Sequence, residues 1–290
     1  MAIIKRPDMV SHDSCKLVHL QEGLITEMEQ FTSIYRLEAK LGHGCNGVVH
    51  EVTRICDDCP FIAKIVQTHG VGSHDCCQKH QIPQEIVIMN QVKDVHGVIR
   101  IVDYFILPFT YIIVMDKFSS TDLYDYIRDH GILLEDVTKD IFRQVVHALL
   151  CCGTRGVFHG DIKDENILIN VDTKQIKLID FGCGKFASSE TICREYTGTQ
   201  VYSPPEWLTE HAYKSEGLAV WTLGIVLFKM VNGYIPFNTP EEVTLGQIKS
   251  CNRISMSKNL KNIIAGCLAV KQDQRLTLSD VWHHPWFQSE

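Results

Sequence analysis

Hydrophobic and polar residues follow two different patterns along the chain, and the change falls near Ser119. Before it, short runs rich in Val, Ile, Tyr and Phe are separated by turn residues, a pattern that predicts β-strands. The runs are YRLEAKLG, GVVHEVTRI, FIAKIV, VIRIVDYF and TYIIVMD. A helical pattern over residues 83–92 interrupts them.

Beyond Ser119 the pattern is mainly helical. Residues 123–128 and 137–152 have apolar positions three and four apart, as in Ile141, Val145, Leu149 and Cys152. Residues 218–231 are apolar nearly all round, which predicts a helix buried at the centre of a lobe. We therefore predict an α+β fold of two lobes with a ligand-binding seam near residues 116–120. Residues 1–30 form a weakly ordered extension, 31–118 an N-lobe and 119–290 a C-lobe in this interpretation.

Composition and charge narrow the function classes. The 290 residues are 45% hydrophobic and 22% charged, typical of a globular protein, and the net charge of −7 argues against nucleic-acid binding. The longest apolar stretch is too short to span a bilayer. The twelve cysteines are scattered and include adjacent pairs, which do not indicate a disulfide framework. We expect a monomer without membrane or nucleic-acid partners, in the cytoplasm, with the nucleus as an open alternative.

Three glycines stand close together in LGHGCNGVV, residues 41–49. Glycines let backbone amides approach phosphate oxygens, so this loop is a candidate phosphate cradle. It leads into a strand and not a helix, which disfavours a dinucleotide-binding turn. A plain hairpin turn explains these glycines better when they are taken alone.

Lys64 lies within the third apolar run, where an unpaired buried lysine would be costly. Glu85 follows on the helical segment and is its natural ion-pair partner. Lys64 could then hold the α- and β-phosphates of a nucleotide while Glu85 holds Lys64. The alternative is an edge-strand lysine with its amine in solvent.

The densest chemical signal is FHGDIKDENILI followed by IKLIDFG. Phosphoryl transfer needs a base near the incoming hydroxyl, magnesium ligands and cations around the γ-phosphate. Asp161 suits the base, Asn166 and Asp180 the metal, and Lys163 with Lys64 the cations. Each residue alone could be an ordinary surface residue, but the ordered set at these spacings favours phosphoryl transfer.

Together these motifs resemble the eukaryotic protein-kinase family over residues 35–287. The resemblance implies the bilobal protein-kinase fold, Mg²⁺ and ATP as cofactors, and an Arg275–Glu206 pair. HGDIK with Gly198-Thr199 downstream is similar to the serine/threonine pattern. It also implies that Asp161 and Lys163 are catalytic and that Asn166 and Asp180 bind metal. The ATP-binding residues implied are Leu41, Gly42, His43, Gly44, Cys45, Asn46, Gly47, Val48, Val49, Ala63, Lys64, Glu85, Met115, Asp116, Phe118, Asp122 and Leu168.

Several segments are similar to the Pim kinases in particular. They include DIKDENILI, YTGTQVYSPPEW and AVWTLGIVLFKMVNGYIPF, in which Ala219 stands where most kinases have aspartate. This resemblance implies constitutive activity and protein substrates with basic residues near the acceptor serine or threonine. The residues implied to attract those basic side chains are Asp122, Asp125, Asp164 and Glu165.

Three departures from the kinase pattern change the expectations. Gly160 replaces the arginine that normally receives an activation-loop phosphate, so we expect activity without that phosphate. Asn46 replaces an aromatic residue at the glycine-loop tip, which predicts weaker ATP binding. The hinge MDKFSSTD lacks the proline insertion of Pim kinases, so with Met115 as gatekeeper it could offer ATP two backbone hydrogen bonds.

Other function classes stay open at this stage. A pseudokinase that regulates a partner would keep the fold, and Gly160 and Asn46 are the hints toward it. A small-molecule phosphotransferase would lack a peptide-positioning segment such as GTQVYSPPEW. The Cys56-x-x-Cys59 pair and His74, Cys76 and Cys77 could suggest zinc, although solvated side chains are the simpler interpretation.

Overall fold

The computed structural model describes residues 27–44, 47–67, 82–107, 109–249 and 256–288. Within these ranges the chain forms a β-rich N-lobe and a mainly helical C-lobe, as the residue pattern predicts. Residues 1–26 of the predicted extension lie outside the described residues. Its last residues, 27–30, belong to a helix and correct that assignment.

An antiparallel sheet forms the N-lobe, with strand order β1-β2-β3-β5-β4. The predicted strands are all present, although the fourth begins three residues later than the run VIRIVDYF, because Val98 makes only an isolated bridge to Leu178. The strands are β1 (Tyr35–Gly44), β2 (Gly47–Arg54), β3 (Pro60–Gln67), β4 (Ile101–Leu107) and β5 (Thr110–Asp116).

Short strands elsewhere hold the loops of the site in place. Those near residues 159–166 form one three-stranded and one two-stranded sheet, and β11 and β12 form a further two-stranded sheet. They are β6 (Thr121–Asp122), β7 (Val157–Phe158), β8 (Ile167–Ile169), β9 (Ile176–Leu178), β10 (Lys185–Phe186), β11 (Ile192–Cys193) and β12 (Tyr213–Lys214).

Helices make up most of the C-lobe, and each helix predicted from periodicity is present, with both ends within three residues of the expected ones. The helices are α1 (Glu27–Ile34), α2 (Gln84–Val92), α3 (Leu123–His130), α4 (Glu135–Gly153), α5 (Pro205–Glu210), α6 (Ser215–Asn232), α7 (Pro240–Leu245), α8 (Lys258–Cys267) and α9 (Leu278–Trp282). Single 3₁₀ turns span Asp164–Asn166, Phe181–Cys183, Gln200–Tyr202, Gln272–Gln274 and Pro285–Phe287.

Helix α1 joins the core of the N-lobe through Phe31. The Phe31 ring lies 5.3 Å from the Phe105 ring and 5.8 Å from the Tyr35 ring, and all three are buried. Aromatic rings at these separations stabilise a core beyond the area that they bury. The helix is therefore a structural part of the lobe and not a loose extension.

Helix α6 lies at the centre of the C-lobe, as its apolar sequence predicts. Almost every residue from Val220 to Val231 is buried, including Trp221 and Phe228. At its N-terminal end, Arg275 donates to both carboxylate oxygens of Glu206 at 2.8 Å and to the carbonyl of Gly217 at 2.9 Å. The predicted Arg275–Glu206 pair is confirmed, and it ties α5 to α6.

No helix in the described ranges combines the length and the apolar character that crossing a membrane requires.

Candidate active site

Lys64 links the two lobes through ion pairs with one carboxylate from each. Strand β3 pairs with β2 and β5 on either side, and this places the Lys64 side chain in the buried interior. Its amine lies 2.6 Å from Glu85 Oε1 and 2.8 Å from Asp180 Oδ1. Burial lowers the pKa of Lys64, but the two carboxylates more than offset this and the net shift is upward. The predicted pairing of Lys64 with Glu85 is confirmed.

Glu85 is held by a second contact besides Lys64. It lies in the first turn of α2 and is itself buried. The Tyr111 hydroxyl donates to Glu85 Oε2 at 3.0 Å, so both carboxylate oxygens have partners. A buried carboxylate needs such partners to avoid a large desolvation cost. Sequence reasoning did not single out Tyr111, because nothing in a strand tyrosine indicates that its hydroxyl supports an ion pair.

Asp180 has an unusual backbone conformation. Its φ of 61° lies in the left-handed region, which non-glycine residues rarely adopt. The side chain accepts from the Gly182 amide at 3.4 Å and from Lys64. Burial raises the pKa of this carboxyl, but the Lys64 amine outweighs it and the net shift is downward. Strain of this kind persists where surrounding contacts fix a residue, commonly at functional sites.

Asp161 and Asn166 are fixed to each other within the catalytic loop, residues 159–166. The Asn166 amide group donates to the Asp161 carbonyl at 2.8 Å and to Asp161 Oδ2 at 3.2 Å. The other carboxylate oxygen, Oδ1, accepts from the Thr199 backbone amide at 2.8 Å. Both donors fix the direction of the Asp161 carboxylate, so that it is preorganised to meet an incoming group.

Lys163 connects the catalytic loop to the activation segment, residues 180–206. Its amine donates to Thr199 Oγ1 at 2.9 Å and lies 3.3 Å from Asp161 Oδ2. Thr199 therefore contacts both predicted catalytic residues. The Gly198-Thr199 pair marked a serine/threonine pattern in the sequence, but its contact with Lys163 required the folded chain, since 36 residues separate the two.

His159 holds the catalytic loop in place through two hydrogen bonds. Its Nε2 lies 2.9 Å from the Ile179 carbonyl, and its Nδ1 accepts from the Asp161 amide at 3.3 Å. These two contacts require the neutral imidazole with its proton on Nε2. Burial lowers the pKa of His159, which is consistent with that neutral form. The ring also lies 4.5 Å from the ring of Phe181.

Gly160 has a conformation that an arginine could not easily adopt. Its φ is +81°, and a Cβ at this position would lie 2.2 Å from the Cys183 carbonyl oxygen. A small cavity beside it is lined in part by Gly160, Cys193 and Ala219. Gly160 and Ala219, which replace the arginine and the aspartate of most kinases, therefore meet at one cavity behind the catalytic loop.

The remaining ATP-binding residues of the prediction surround the seam. Ala63 and Met115 are buried, Asp122 and Leu168 pair across β6 and β8, and Phe118 is half-buried. Leu41 is exposed, whereas Gly42, Gly47, Val48 and Val49 are partly exposed on the hairpin of β1 and β2. His43 and Gly44 pair with Val48 and Gly47 through their backbones. Cys45 and Asn46 lie outside the described residues.

Two of these residues already have partners within the fold. The Asp116 carboxylate accepts from Arg100 at 2.8 and 2.9 Å, and the Asp116 amide donates to the Arg100 carbonyl at 3.1 Å, so the Asp116 carbonyl is the group that could contact a base. The Asp122 carboxylate accepts from the Asp125 amide at 2.7 Å and caps α3. Partial burial raises the pKa of Asp122, and the charges of Asp125 and Asp164 add to this.

Asp180 and Asn166 suit a magnesium ion by their chemistry. Mg²⁺ prefers oxygen ligands and is commonly held by one or two protein side chains plus phosphate oxygens. The Asn166 nitrogen donates to Asp161, so its side-chain oxygen is the atom left to bind metal. No group of three or more His, Cys, Asp or Glu side chains in the described ranges could hold a metal ion. Of the proposed zinc residues, His74, Cys76 and Cys77 lie outside those ranges.

Comparison with known families agrees with this geometry. Residues 35–287 match the family described as Protein kinase domain. The chain belongs to the protein kinase family. This kinase is 32% identical over 266 residues to the serine/threonine-protein kinase prk-2 of Caenorhabditis elegans, covering 90% of the chain and 60% of that protein. It is 33% identical over 269 residues to the serine/threonine-protein kinase pim-2 of Danio rerio, covering 89% and 86%.

A more distant relative is NUAK family SNF1-like kinase 1 of Mus musculus, 30% identical over 261 residues, covering 87% of the chain and 38% of that protein. The kinase therefore spans well under the full length of two of these three relatives. Its place among the serine/threonine protein kinases rests on the family match and on the first two relatives together.

Proposed function

We propose that this kinase is active and transfers the γ-phosphate of ATP to serine or threonine hydroxyls with the help of Mg²⁺. The observation that carries the proposal is the Lys64 amine, which contacts Glu85 at 2.6 Å and Asp180 at 2.8 Å at once. This arrangement brings a phosphate-binding cation beside a metal-binding carboxylate, as kinase chemistry requires.

Each residue has a role that its contacts support. Bound Mg-ATP would supply the phosphoryl group, and Asn166 and Asp180 would hold the metal. Asp161 would orient the substrate hydroxyl and accept its proton as the new oxygen–phosphorus bond forms and the bond to the leaving ADP oxygen breaks. Lys163 lies 3.3 Å from Asp161 and would neutralise charge on the transferring group.

The pseudokinase alternative finds no support among these contacts. Lys64, Asp161 and Asp180 are present, and Lys64 and Asp180 are paired with each other. A binding module would not need the Asp161 carboxylate to be oriented by both Asn166 and Thr199. We therefore favour the active enzyme.

We also propose that the activation segment acts without phosphorylation. Gly160 offers no side chain to receive a phosphate, and the segment has internal contacts instead. The Lys185 amine donates to the Glu195 carbonyl at 2.9 Å, and the hydroxyl of Tyr196 donates to the Thr199 carbonyl at 2.8 Å. The Tyr213 hydroxyl donates to the same Glu195 carbonyl at 2.9 Å. These hydrogen bonds order the activation segment through groups of the chain itself, which are present whether or not a phosphate is added.

Replacing the hydroxyl-bearing residues of this segment tests that proposal. Turnover should persist when Ser188, Ser189, Thr191 and Thr197 are changed to alanine and Tyr196 to phenylalanine. Because Tyr196 also bonds Thr199, the four-alanine variant without Tyr196→Phe serves as the matched control. Loss of turnover in the four-alanine variant would contradict the proposal.

Substrates with basic residues are the class that the surface charge favours. Asp122, Asp125 and Glu165 come together around the buried Asp164, where α3 meets the 3₁₀ turn Asp164–Asn166, and the net charge is −7. Carboxylates clustered beside a catalytic loop attract cationic peptides and raise their association rates. The 33% identity to pim-2 supports a Pim-like assignment within the family.

A radiolabel transfer assay tests the central proposal. The wild-type protein should phosphorylate an Arg-rich serine peptide, whereas Asp180→Ala, prepared in the same way, should not. Since a metal-binding carboxylate is lost, we expect a fall of about 10²- to 10³-fold. Equal signal from both proteins would mean that the activity comes from a contaminant and would leave the proposal without support.

A further inference from the structure

Lys229 lies in the last turn of α6 and contacts Asp164, the buried member of the acidic cluster that also contains Asp122, Asp125 and Glu165. Its amine forms an ion pair with Asp164 Oδ2 and lies 4.5 Å from the centre of the Tyr124 ring. Only 14% of the Lys229 side chain is exposed, while Asp164 is completely buried. The lysine thus approaches the cluster from inside the fold.

Both carboxylate oxygens of Asp164 lie beside groups of the chain itself. Besides the Lys229 contact, Oδ1 accepts from the Tyr202 hydroxyl at 2.6 Å. A buried carboxylate with a cation on one oxygen and a hydroxyl on the other has little left to offer a substrate. Burial raises the pKa of Tyr202, and the nearby charge of Asp164 raises it further, so the hydroxyl keeps its proton and stays a donor.

The other members of the cluster differ from Asp164. Glu165 is exposed, and burial of part of its carboxyl, with the charge of Asp164, raises its pKa. Asp125 pairs with Arg128, whose side chain is 58% exposed. Exposed ion pairs are weak, so a substrate guanidinium could displace Arg128. Lys163 also lies near Glu165, but its amine is engaged by Thr199.

We propose that Lys229 occupies, from within the fold, the position beside Asp164 that a substrate cation would otherwise take. This internal occupancy sets substrate specificity. It neutralises Asp164, so that Glu165 and Asp125 bind the cation of a basic substrate and Asp164 does not. This proposal rests on the proposed kinase activity. It makes Lys229 a specificity-determining residue, because a peptide's arginine competes with a lysine that is already in place.

Removing the lysine should open the position to the substrate. In Lys229→Ala the four-carbon side chain is gone, and an arginine of the peptide could reach Asp164 through the space beside Tyr124. A charge-assisted bond to a buried carboxylate supports a gain of about 10-fold or more in selectivity. Lys229→Arg keeps the cation in place and should leave the selectivity as it is in the wild type.

The measurement is kcat/KM for a set of serine peptides in which one arginine is moved through the positions before the acceptor. Each peptide is compared with its alanine counterpart, and the ratio is the selectivity at that position. We expect Lys229→Ala to raise the ratio at one position about 10-fold, and Asp164→Asn with Lys229→Ala to return it to the wild-type value. Glu165→Gln should lower the wild-type ratio about threefold.

Lys229→Ala leaves a buried charge unpaired and could fail to fold. Asp164→Asn decides the question in that case, because an asparagine oxygen can still accept from Tyr202. An arginine-to-alanine ratio within about twofold of wild type supports internal occupancy, while a fall of about 10-fold means that Asp164 binds substrate directly and overturns it.

The outcomes also separate this proposal from the proposed function. If the wild type phosphorylates no peptide of the set above the Asp180→Ala background, the kinase assignment itself fails. If it is active and Lys229→Ala folds without any gain in arginine selectivity, only the role of Lys229 is wrong.

Discussion

The Lys163 amine donates to Thr199 Oγ1 at 2.9 Å, and this hydrogen bond joins the catalytic loop to the activation segment. The Thr199 backbone amide also donates to Asp161 at 2.8 Å. One residue of the activation segment thus positions both residues that we expect to act on the transferring phosphoryl group. The activity of the kinase should therefore depend on the Thr199 hydroxyl.

Thr199→Val keeps the backbone contact with Asp161 but removes the acceptor for Lys163. Because misplacement of a catalytic group by about 1 Å can cost about 10²-fold, we expect kcat to fall by up to that factor. Thr199→Ser keeps the hydroxyl and should retain most of the activity. Equal loss in both variants, or a matching loss of thermal stability, would point to packing of the threonine methyl group.

Gly160→Ala should destabilise the fold. The φ of +81° is strained for alanine, and the added Cβ would lie 2.2 Å from the Cys183 carbonyl oxygen. Gly131→Ala is a matched control, since Gly131 has a φ of +76° with open space around it. We expect Gly160→Ala to cost about 1–3 kcal/mol more than Gly131→Ala in the free energy of unfolding, measured with urea. Equal costs would mean that the loop moves to accept the methyl group.

The stability of the fold should fall at mildly acid pH through His159. Its folded pKa lies below the ordinary 6.5, so the unfolded chain binds a proton that the folded chain does not. Stability is then lost as the pH falls from about 6.5 toward the folded value, by up to about 1.4 kcal/mol per pH unit. His159→Gln should flatten this dependence, measured as the difference from wild type in urea unfolding at several pH values. Parallel curves for the two proteins would assign the acid sensitivity to other groups, such as His284, whose pKa is also lowered by burial.

Phe31→Ala tests whether α1 is part of the N-lobe. The ring is 3% exposed and packs between Phe105 and Tyr35. Loss of a buried phenylalanine costs about 3–5 kcal/mol in the free energy of unfolding. Met28 on the same helix is 41% exposed, and Met28→Ala should change stability by no more than about 0.5 kcal/mol. Similar small effects from both would mean that α1 detaches at little cost.

Much of the fold and of the candidate site could be predicted because the signals are local. Strand and helix periodicities placed β1 to β5 and the buried helix α6, because the spacing of apolar residues within each element indicates which of its faces is buried. The motifs around Lys64, Asp161 and Asp180 indicated phosphoryl transfer, because their residue types and order match what that chemistry needs. The pairing of Lys64 with Glu85 followed from the same reasoning, whereas that of Arg275 with Glu206 was implied by the resemblance to the kinase family, and both are confirmed.

Other features depend on contacts between distant parts of the chain. Residues 27–30 were predicted to be weakly ordered, because the sequence there has no sustained periodicity. They form a helix instead, since a short helix is stabilised mainly by tertiary packing, here that of Phe31 on Phe105 of β4. Asp164 was expected to attract substrate cations along with its neighbours, but the fold brings Lys229 onto it from 65 residues further along the chain. The sequence by itself determined the chemistry that the side chains can perform. Only the tertiary structure decided which charges are left for a substrate, because an ion pair forms through distance in space and not along the chain.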